Sequence, residues 1–384
     1  MVNYKFEQKA KVAVTEELDQ ALLETLQSNR WSAPMIVIDQ FLLSSDIIKK
    51  VLDVLEHAGI GAVIYDKIIP EPPMELIDEG ARIFAEKRCD CVVAVGGGSV
   101  IDAARGINIV RTCGGKIKDY IYDKQVSSRC YGLIAVPTTS GTGSELSNAL
   151  VVTDVEKQEK LAVLADEAVS EYVILDPNLP KSMPLGLTIQ TGLDVFSHAF
   201  EAYTSTLSTP VVDAICEKIM FLVVKYLPKA VQDANDLEAR QRMMIAAALG
   251  GWVINNGGTH LAHSIGHIIG AKYHIPHGMA CAYALPGVMY HTALVKPKKV
   301  REVGNILELG LAQELSDEAL GKAVSEGFRA FRDDVLGLKS FAELEIEKEK
   351  LQELTDTVIH ERFAQNTPFA LTQDTVSEIL KNYG

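Results

Sequence analysis

The 384-residue chain has no apolar run long enough to cross a bilayer. Its longest, CVVAVGGG (91–98) and IMFLVV (219–224), fall well short of the roughly 20 residues that a spanning helix needs. Positive charge is also scarce. With 37 Lys and Arg against 51 Asp and Glu, the net charge of −14 excludes a general nucleic-acid binder, because a phosphate backbone needs a basic footprint. A small ligand answers to a local field and is not excluded. The six cysteines, Cys89, Cys91, Cys113, Cys130, Cys216 and Cys281, are too few in such a length for a disulfide framework. Cys89 and Cys91 form a CxC pair that could hold metal, but no second pair accompanies it, so a reduced, mostly buried set is expected. The opening MVNYKFEQKAKVAV carries no basic-then-apolar leader, which points to a cytoplasmic protein. Two fingerprints are missing as well, the GxGxxG dinucleotide loop and the HExxH metalloprotease helix.

What is present reads as an ordinary globular protein, 47% hydrophobic and 23% charged. Its length exceeds what one core usually holds, so two domains are expected. In the first part, short β-branched runs alternate with helical patterns, which predicts βαβ units and a mostly parallel sheet. The strand candidates are MIVID (35–39), GAVIYD (61–66), CVVAV (91–95), LIAVP (133–137), LVVTD (150–154) and YVILD (172–176). Between them, SSDIIKKVLDVLEHAG starts on serine and stops on glycine as a helix should, and PMELIDEGARIFAEKRC follows the same grammar. After DPNLP (176–180) the strand signal ends, and amphipathic helical patterns follow: LTIQTGLDVFSHAFEAY, VVDAICEKIMFLVVKYL and ARQRMMIAAALGGWVI. The expectation is an α/β nucleotide-binding domain over residues 1–181 and an all-α metal-binding domain over 182–384, with a ligand cleft between them.

In the first part, CVVAVGGGSVIDAARG runs from strand through Gly96, Gly97 and Gly98 into a helix entered at Ser99. Glycines let the backbone approach a ligand, and a helix start offers unpaired N–H groups to a pyrophosphate; a tight turn is the plain alternative. A second loop, PTTSGTGSE (137–145), also follows a strand and is crowded with hydroxyls, which suit phosphate and ribose contacts or serve a simple connector. Ligands collect beyond the carboxyl ends of parallel strands, so two such loops reinforce each other. Asp39, ending the first clear strand, suits ribose hydroxyls and repels a 2′-phosphate, or starts a turn.

In the second part, Asp194 and His198 are four apart on one helical face. His260, His263 and His267 follow at spacings of three and four, and HIPHG adds His274 and His277, so six of the nine histidines fall within residues 198–277. Imidazoles with a carboxylate suit Fe(II) or Zn(II) rather than Ca or Mg, which take oxygen ligands.

Together GGGSVIDAARG, PTTSGTGSE, TGLDVFSHAFEAY, HLAHSIGH and HIPHGMACAYALP, in that order, resemble the iron-containing (group III) alcohol dehydrogenases. These belong to the superfamily of glycerol dehydrogenase and dehydroquinate synthase. The resemblance implies a metal, Fe2+ ahead of Zn2+, held by Asp194, His198, His263 and His277, with His267 near the substrate in proton transfer. It implies a pyrophosphate loop at Gly97, Gly98 and Ser99, a second NAD(H) loop at Thr138, Thr139, Thr142 and Ser144, and further nucleotide contacts at Lys160 and Leu179. Asp39 matches the residue tied to NAD preference. The implied reaction is hydride exchange between NAD(H) and a small alcohol or aldehyde, in a homodimer or larger homo-oligomer. The chain departs from the family pattern at Pro70-Glu71-Pro72, at Arg105, where lysine is common, and at Asn366-Thr367-Pro368. Arg362 could meet an anionic substrate tail or lie solvated at the surface. Alternatives are a polyol (glycerol-type) dehydrogenase and a non-catalytic nucleotide-binding module. A superfamily enzyme of elimination or cyclisation would want a Lys/Arg-rich pocket, where GGWVINNGG is mostly apolar.

Overall fold

Short runs of Val, Ile and Ala closed by Gly, Pro or Asp favour buried, pleated strands. The computed structural model of the chain, which describes residues 4, 6–155 and 159–384 except the side chains of Glu159 and Lys160, bears this out. The chain divides into two compact units. One comprises residues 7–139 and 143–182; the other comprises 183–384, with 140–142 and the described part of the first six.

Among the described residues the first unit holds β1 (Lys11–Val14), β2 (Pro34–Ile38), β3 (Val63–Tyr65), β4 (Cys91–Gly96), β5 (Leu133–Pro137), β6 (Ala149–Asp154), β7 (Glu159–Leu164) and β8 (Tyr172–Leu175). Its helices are α1 (Leu18–Ser28), α2 (Asp46–His57), α3 (Met74–Glu86), α4 (Gly98–Cys113) and α5 (Ile117–Tyr122). Six strands form one parallel sheet in the order β1-β8-β5-β4-β2-β3. Ile36, Ile38, Val93, Val95, Ile134, Val136 and Ile174 bury one face of it with Leu22 and Leu26 of α1 and Val51 and Leu55 of α2. Ser45 caps α2 by accepting from the Ile48 N–H at 3.4 Å, as the serine at the head of that segment led one to expect. From β2 the chain runs outward to β3, then returns to β4 on the other side of β2. The topological switch therefore lies between the carboxyl ends of β2 and β4.

Two strands differ from expectation. β1 lies within the opening segment, which is absent from the strand candidates, and LVVTD is not part of the parallel sheet: β6 pairs antiparallel with β7 in a separate hairpin. Arg105 holds that hairpin down. Fully buried on α4, its guanidinium donates to the carbonyls of Ser144 and Ala149, and Asp102 Oδ1 lies 3.7 Å away. Asp102 Oδ2 in turn accepts from the Val151 N–H at 3.0 Å. Burial pushes the Asp102 carboxyl up to about 6 against the pull of Arg105, and pushes neighbouring Glu145 up to about 7.

The second unit is helical: α6 (Leu185–Thr204), α7 (Pro210–Gln232), α8 (Leu237–Gly257), α9 (Leu261–Tyr273), α10 (His277–Ala293), α11 (Pro297–Ile306), α12 (Asp317–Ala330) and three shorter helices, α13 (Lys348–Gln352), α14 (Thr355–Ile359) and α15 (Gln373–Lys381). α6 is buried along most of its length, packed by α7, α8, α9 and α10. Among the described residues, no helix is long and apolar enough to cross a membrane.

Removing one partner of a buried ion pair strands the other, so Arg105→Met is expected to destabilise the chain by about 3–5 kcal/mol, read from urea denaturation midpoints. Glu145 acts through pH. Its folded pKa lies above its unfolded one, so its contribution to stability is complete below about pH 4 and lost as pH rises through about 7. Wild-type midpoints should therefore fall between pH 5 and 8 more steeply than those of Glu145→Gln; parallel profiles would show that Glu145 is ionised at no such penalty.

Candidate metal centre

Three helices bring their polar residues to one point in the helical unit. Asp194 and His198 lie one turn apart on α6, His263 on the first turn of α9, and His277 at the start of α10 just after Pro276. Asp194 Oδ1 lies 3.8 Å from His198 Nε2, 3.8 Å from His263 Nε2 and 3.6 Å from His277 Nε2. Those separations exceed hydrogen-bond length. They are near the ~3.4 Å expected between two donors each about 2.1 Å from one tetrahedral ion. The rings of His198 and His263 stack at 4.9 Å, and His277 stands 5.3 Å from His263.

Burial makes this spacing informative. Asp194 is only 3% exposed, and its Oδ1, like His263 Nε2, has no hydrogen-bond partner. Orphaned buried polar atoms are rare and ask for an explanation. A cation bound among them supplies one, and the donor set of three imidazoles and a carboxylate is that of an iron or zinc centre. Burial works to raise the pKa of Asp194, but His198, His277, His263 and His267 together hold it below the usual carboxylate range. Burial and the neighbouring rings push His263 well below the ordinary imidazole value, toward the neutral form that ligates metal. His277 differs in having its side chain 42% exposed, which leaves one side of the cluster open.

Glu201, fully buried on α6 one turn beyond His198, sets the orientation of His263. Its Oε2 accepts from His263 Nδ1 at 2.6 Å and from the backbone N–H groups of His260 and His263, while Oε1 accepts from Ala262 N–H at 2.6 Å. The carboxylate thus satisfies the amides of the α9 N-terminus that have no partner within the helix, and turns His263 Nε2 toward Asp194. His260, grouped by spacing with His263 and His267, instead precedes the helix and bonds Thr204 Oγ1 at 2.9 Å; burial lowers it to about 4. His274 caps the far end of α9 in the left-handed region and takes no part.

His267, the next turn of α9, stacks on His277 at 5.2 Å and directs Nδ1 at Glu361 Oε1, 3.4 Å away. Glu361 also accepts from Ser264 Oγ at 2.6 Å and from the Phe363 N–H at 2.7 Å; burial raises its pKa, but these bonds win and lower it. Asn366, from the divergent Asn-Thr-Pro stretch, accepts from the Thr206 N–H at 2.9 Å and donates to Thr259 O at 3.0 Å, tying the end of α6 to the approach to α9. α10 can reach α6 only because residue 278 is glycine. A Cβ there would lie 2.2 Å from Gln190 O and 2.9 Å from Asp194 Cβ.

Residues 12–177 match the iron-containing alcohol dehydrogenase family, and residues 188–384 match the Fe-containing alcohol dehydrogenase family, C-terminal. The chain belongs to the iron-containing alcohol dehydrogenase family. It is similar to the NAD-dependent methanol dehydrogenase of Bacillus methanolicus, 33% identical over 348 residues and 91% of each chain. The 1,3-propanediol dehydrogenase of Klebsiella pneumoniae is 31% identical over 293 residues, 76% of each. In three dimensions it is similar to the alcohol dehydrogenase from Oenococcus oeni, with a TM-score of 0.91 and 26% identity over 100% of both chains.

In the strand-rich unit of this dehydrogenase, Asp39 follows β2, Gly97 to Ser99 follow β4, and Thr138 and Thr139 follow β5. These are the carboxyl ends of three adjacent strands, two of them flanking the switch point. A Cβ on Gly97 would lie 3.4 Å from Thr139 Cγ2, and the Thr138 N–H donates to Gly96 O at 3.0 Å, so the two loops touch. Burial raises the pKa of Asp39. Ser144 is buried, with its carbonyl on Arg105, and Leu179 is buried at the head of a short 3-10 turn. Thr142 is exposed, in the segment that groups with the helical unit. The side chain of Lys160 lies outside the described residues, although its backbone pairs with Thr153. Glu201 and Glu361 were not expected from sequence. Glu201 carried a signal, since it follows Asp194 by seven and His198 by three, on the same helical face. Glu361, about a hundred residues away, carried none.

Glu201→Gln removes the charge that orients His263 while keeping its shape. It is expected to weaken metal binding about 10- to 100-fold, measured by competition with a chromophoric chelator; an unchanged affinity would show that Glu201 serves only to cap α9.

Proposed function

We propose that this dehydrogenase exchanges hydride between NAD(H) and a small primary alcohol or its aldehyde, at a single divalent metal of the iron/zinc class held by Asp194, His198, His263 and His277. The observation that carries the reading is the buried carboxylate facing imidazole nitrogens at 3.6–3.8 Å with no hydrogen bond between them. When bound, the cation supplies Lewis-acid polarisation of the substrate oxygen, and the nicotinamide supplies or accepts the hydride.

The chain's own residues do the rest. Gly97, Gly98 and Ser99 offer backbone N–H groups at the head of α4 to the pyrophosphate, helped by the positive end of the helix. Thr138, Thr139, Thr142 and Ser144 line the second cofactor loop, with Lys160 and Leu179 as further nucleotide contacts. Asp39 binds the ribose hydroxyls and repels a 2′-phosphate, which favours NAD over NADP. His267 holds and passes the proton. With Nδ1 directed at Glu361, its Nε2 is the atom left to face the substrate. Phe363, 5.5 Å from the His267 ring, adds an apolar wall suited to a short carbon chain. Exposed Arg362, its guanidinium 5.9 Å from the Phe363 ring, gives a second reading: an aldehyde with an anionic tail.

The test is NADH oxidation by the metal-analysed protein across simple, hydroxylated, carboxylated and sulfonated short aldehydes, with glycerol oxidation as the polyol control. Turnover of small aldehydes is expected, reduced at least about 100-fold when metal is stripped and again in His263→Ala. Full activity in metal-free protein would defeat the ligand assignment. Strong preference for an anionic aldehyde, lost in Arg362→Ala, would select the second reading.

A further inference from the structure

Cys281 takes no part in the assignment above, yet it lies at the same point. One turn after His277 on α10, it is fully buried, and its Sγ lies 3.8 Å from His277 Nε2. Its sulfur and the ligand atoms of Asp194, His263 and His277 all lie within 4.8 Å of one another. Two of those atoms, Asp194 Oδ1 and His263 Nε2, are the buried ones without a hydrogen-bond partner. The sulfur also packs closely on α9. Gly266 of α9 faces it, and a Cβ on residue 266 would come within 2.6 Å of Sγ. A buried cysteine is usually an inert small hydrophobe. This one is packed between two helices with its sulfur among orphaned donor atoms.

We propose that Cys281 is a sulfur ligand of this chain's metal, joining Asp194 and the histidines, so that the centre is a mixed nitrogen, oxygen and sulfur site. The proposal rests on the metal centre described above and adds a donor to it. Coordination forms a metal–sulfur bond and breaks the S–H bond, the proton leaving to solvent, with no change of oxidation state. A thiolate is a softer donor than imidazole or carboxylate, which biases the site toward zinc over iron(II). It also occupies coordination space that a substrate oxygen would otherwise contest.

Cobalt(II) loaded into the full chain reports both parts separately. Visible d–d absorption marks cobalt in the protein centre, and a near-ultraviolet thiolate-to-cobalt charge-transfer band marks a sulfur ligand. Wild type is expected to show both, while Cys281→Ser and the apolar Cys281→Ala keep the visible bands and lose the near-ultraviolet one. Cys216, buried on α7, is the other cysteine of this unit and serves as the control, its Cys216→Ala variant keeping both. Visible bands in wild type without the charge-transfer band, or a charge-transfer band that survives in both Cys281 variants, overturns the sulfur ligand and leaves the four-residue centre standing. Failure of wild type to bind cobalt at all overturns the centre and the sulfur ligand together.

Discussion

A single buried carboxylate holds the chemistry of the helical unit in register. Glu201 accepts three backbone N–H groups and the Nδ1 of His263, so one side chain both terminates α9 and sets which nitrogen of its histidine faces Asp194. A charge buried without partners would be strongly unfavourable. Here the helix N-terminus supplies partners and a favourable dipole at once. The position of α9 and the tautomer of His263 are therefore not independent variables. Whatever displaces the start of the helix also misaims the imidazole, and His267, one turn further on, moves with it.

The strand-rich unit solves a different problem with different means. Glycine-bearing loops and a helix start stand at the carboxyl ends of adjacent strands, the arrangement proposed above to meet an anionic cofactor. The second loop needs support from behind, because it leads into a hairpin outside the main sheet. Arg105 gives that support by donating to the carbonyls of Ser144 and Ala149 from the buried face of α4. Its departure from the family's usual lysine is thus a structural matter: a planar fork serves two carbonyls at once.

Much of this was legible in the sequence, for identifiable reasons. Strands buried on both faces, such as Val92–Val95, read as unbroken apolar runs, and parallel sheets are built of those. β1 escaped notice because it is an edge strand, exposed along its whole length, whose KVAV sits among charged residues. β6 misled in the opposite direction. ALVVTD looks like a core strand, yet its burial alternates, as befits one half of an antiparallel hairpin. At the metal centre, spacing found Asp194 with His198 because both lie inside one helix. His260 shares the spacing of His263 and His267 but precedes the helix, and residues before a helix do not follow its period. Glu361 was invisible because its link to His267 is purely tertiary.

The glycine at 278 has a broader meaning. Because Gln190 O and Asp194 Cβ stand where a Cβ on residue 278 would lie, the approach of α10 to α6 at this point depends on the absence of a side chain there. That contact lies beside both His277, the residue before Gly278, and Asp194, so it fixes their separation directly. On the proposed ligand assignment, such an arrangement ties the hold on the metal to main-chain packing rather than to the side chains that would meet a substrate.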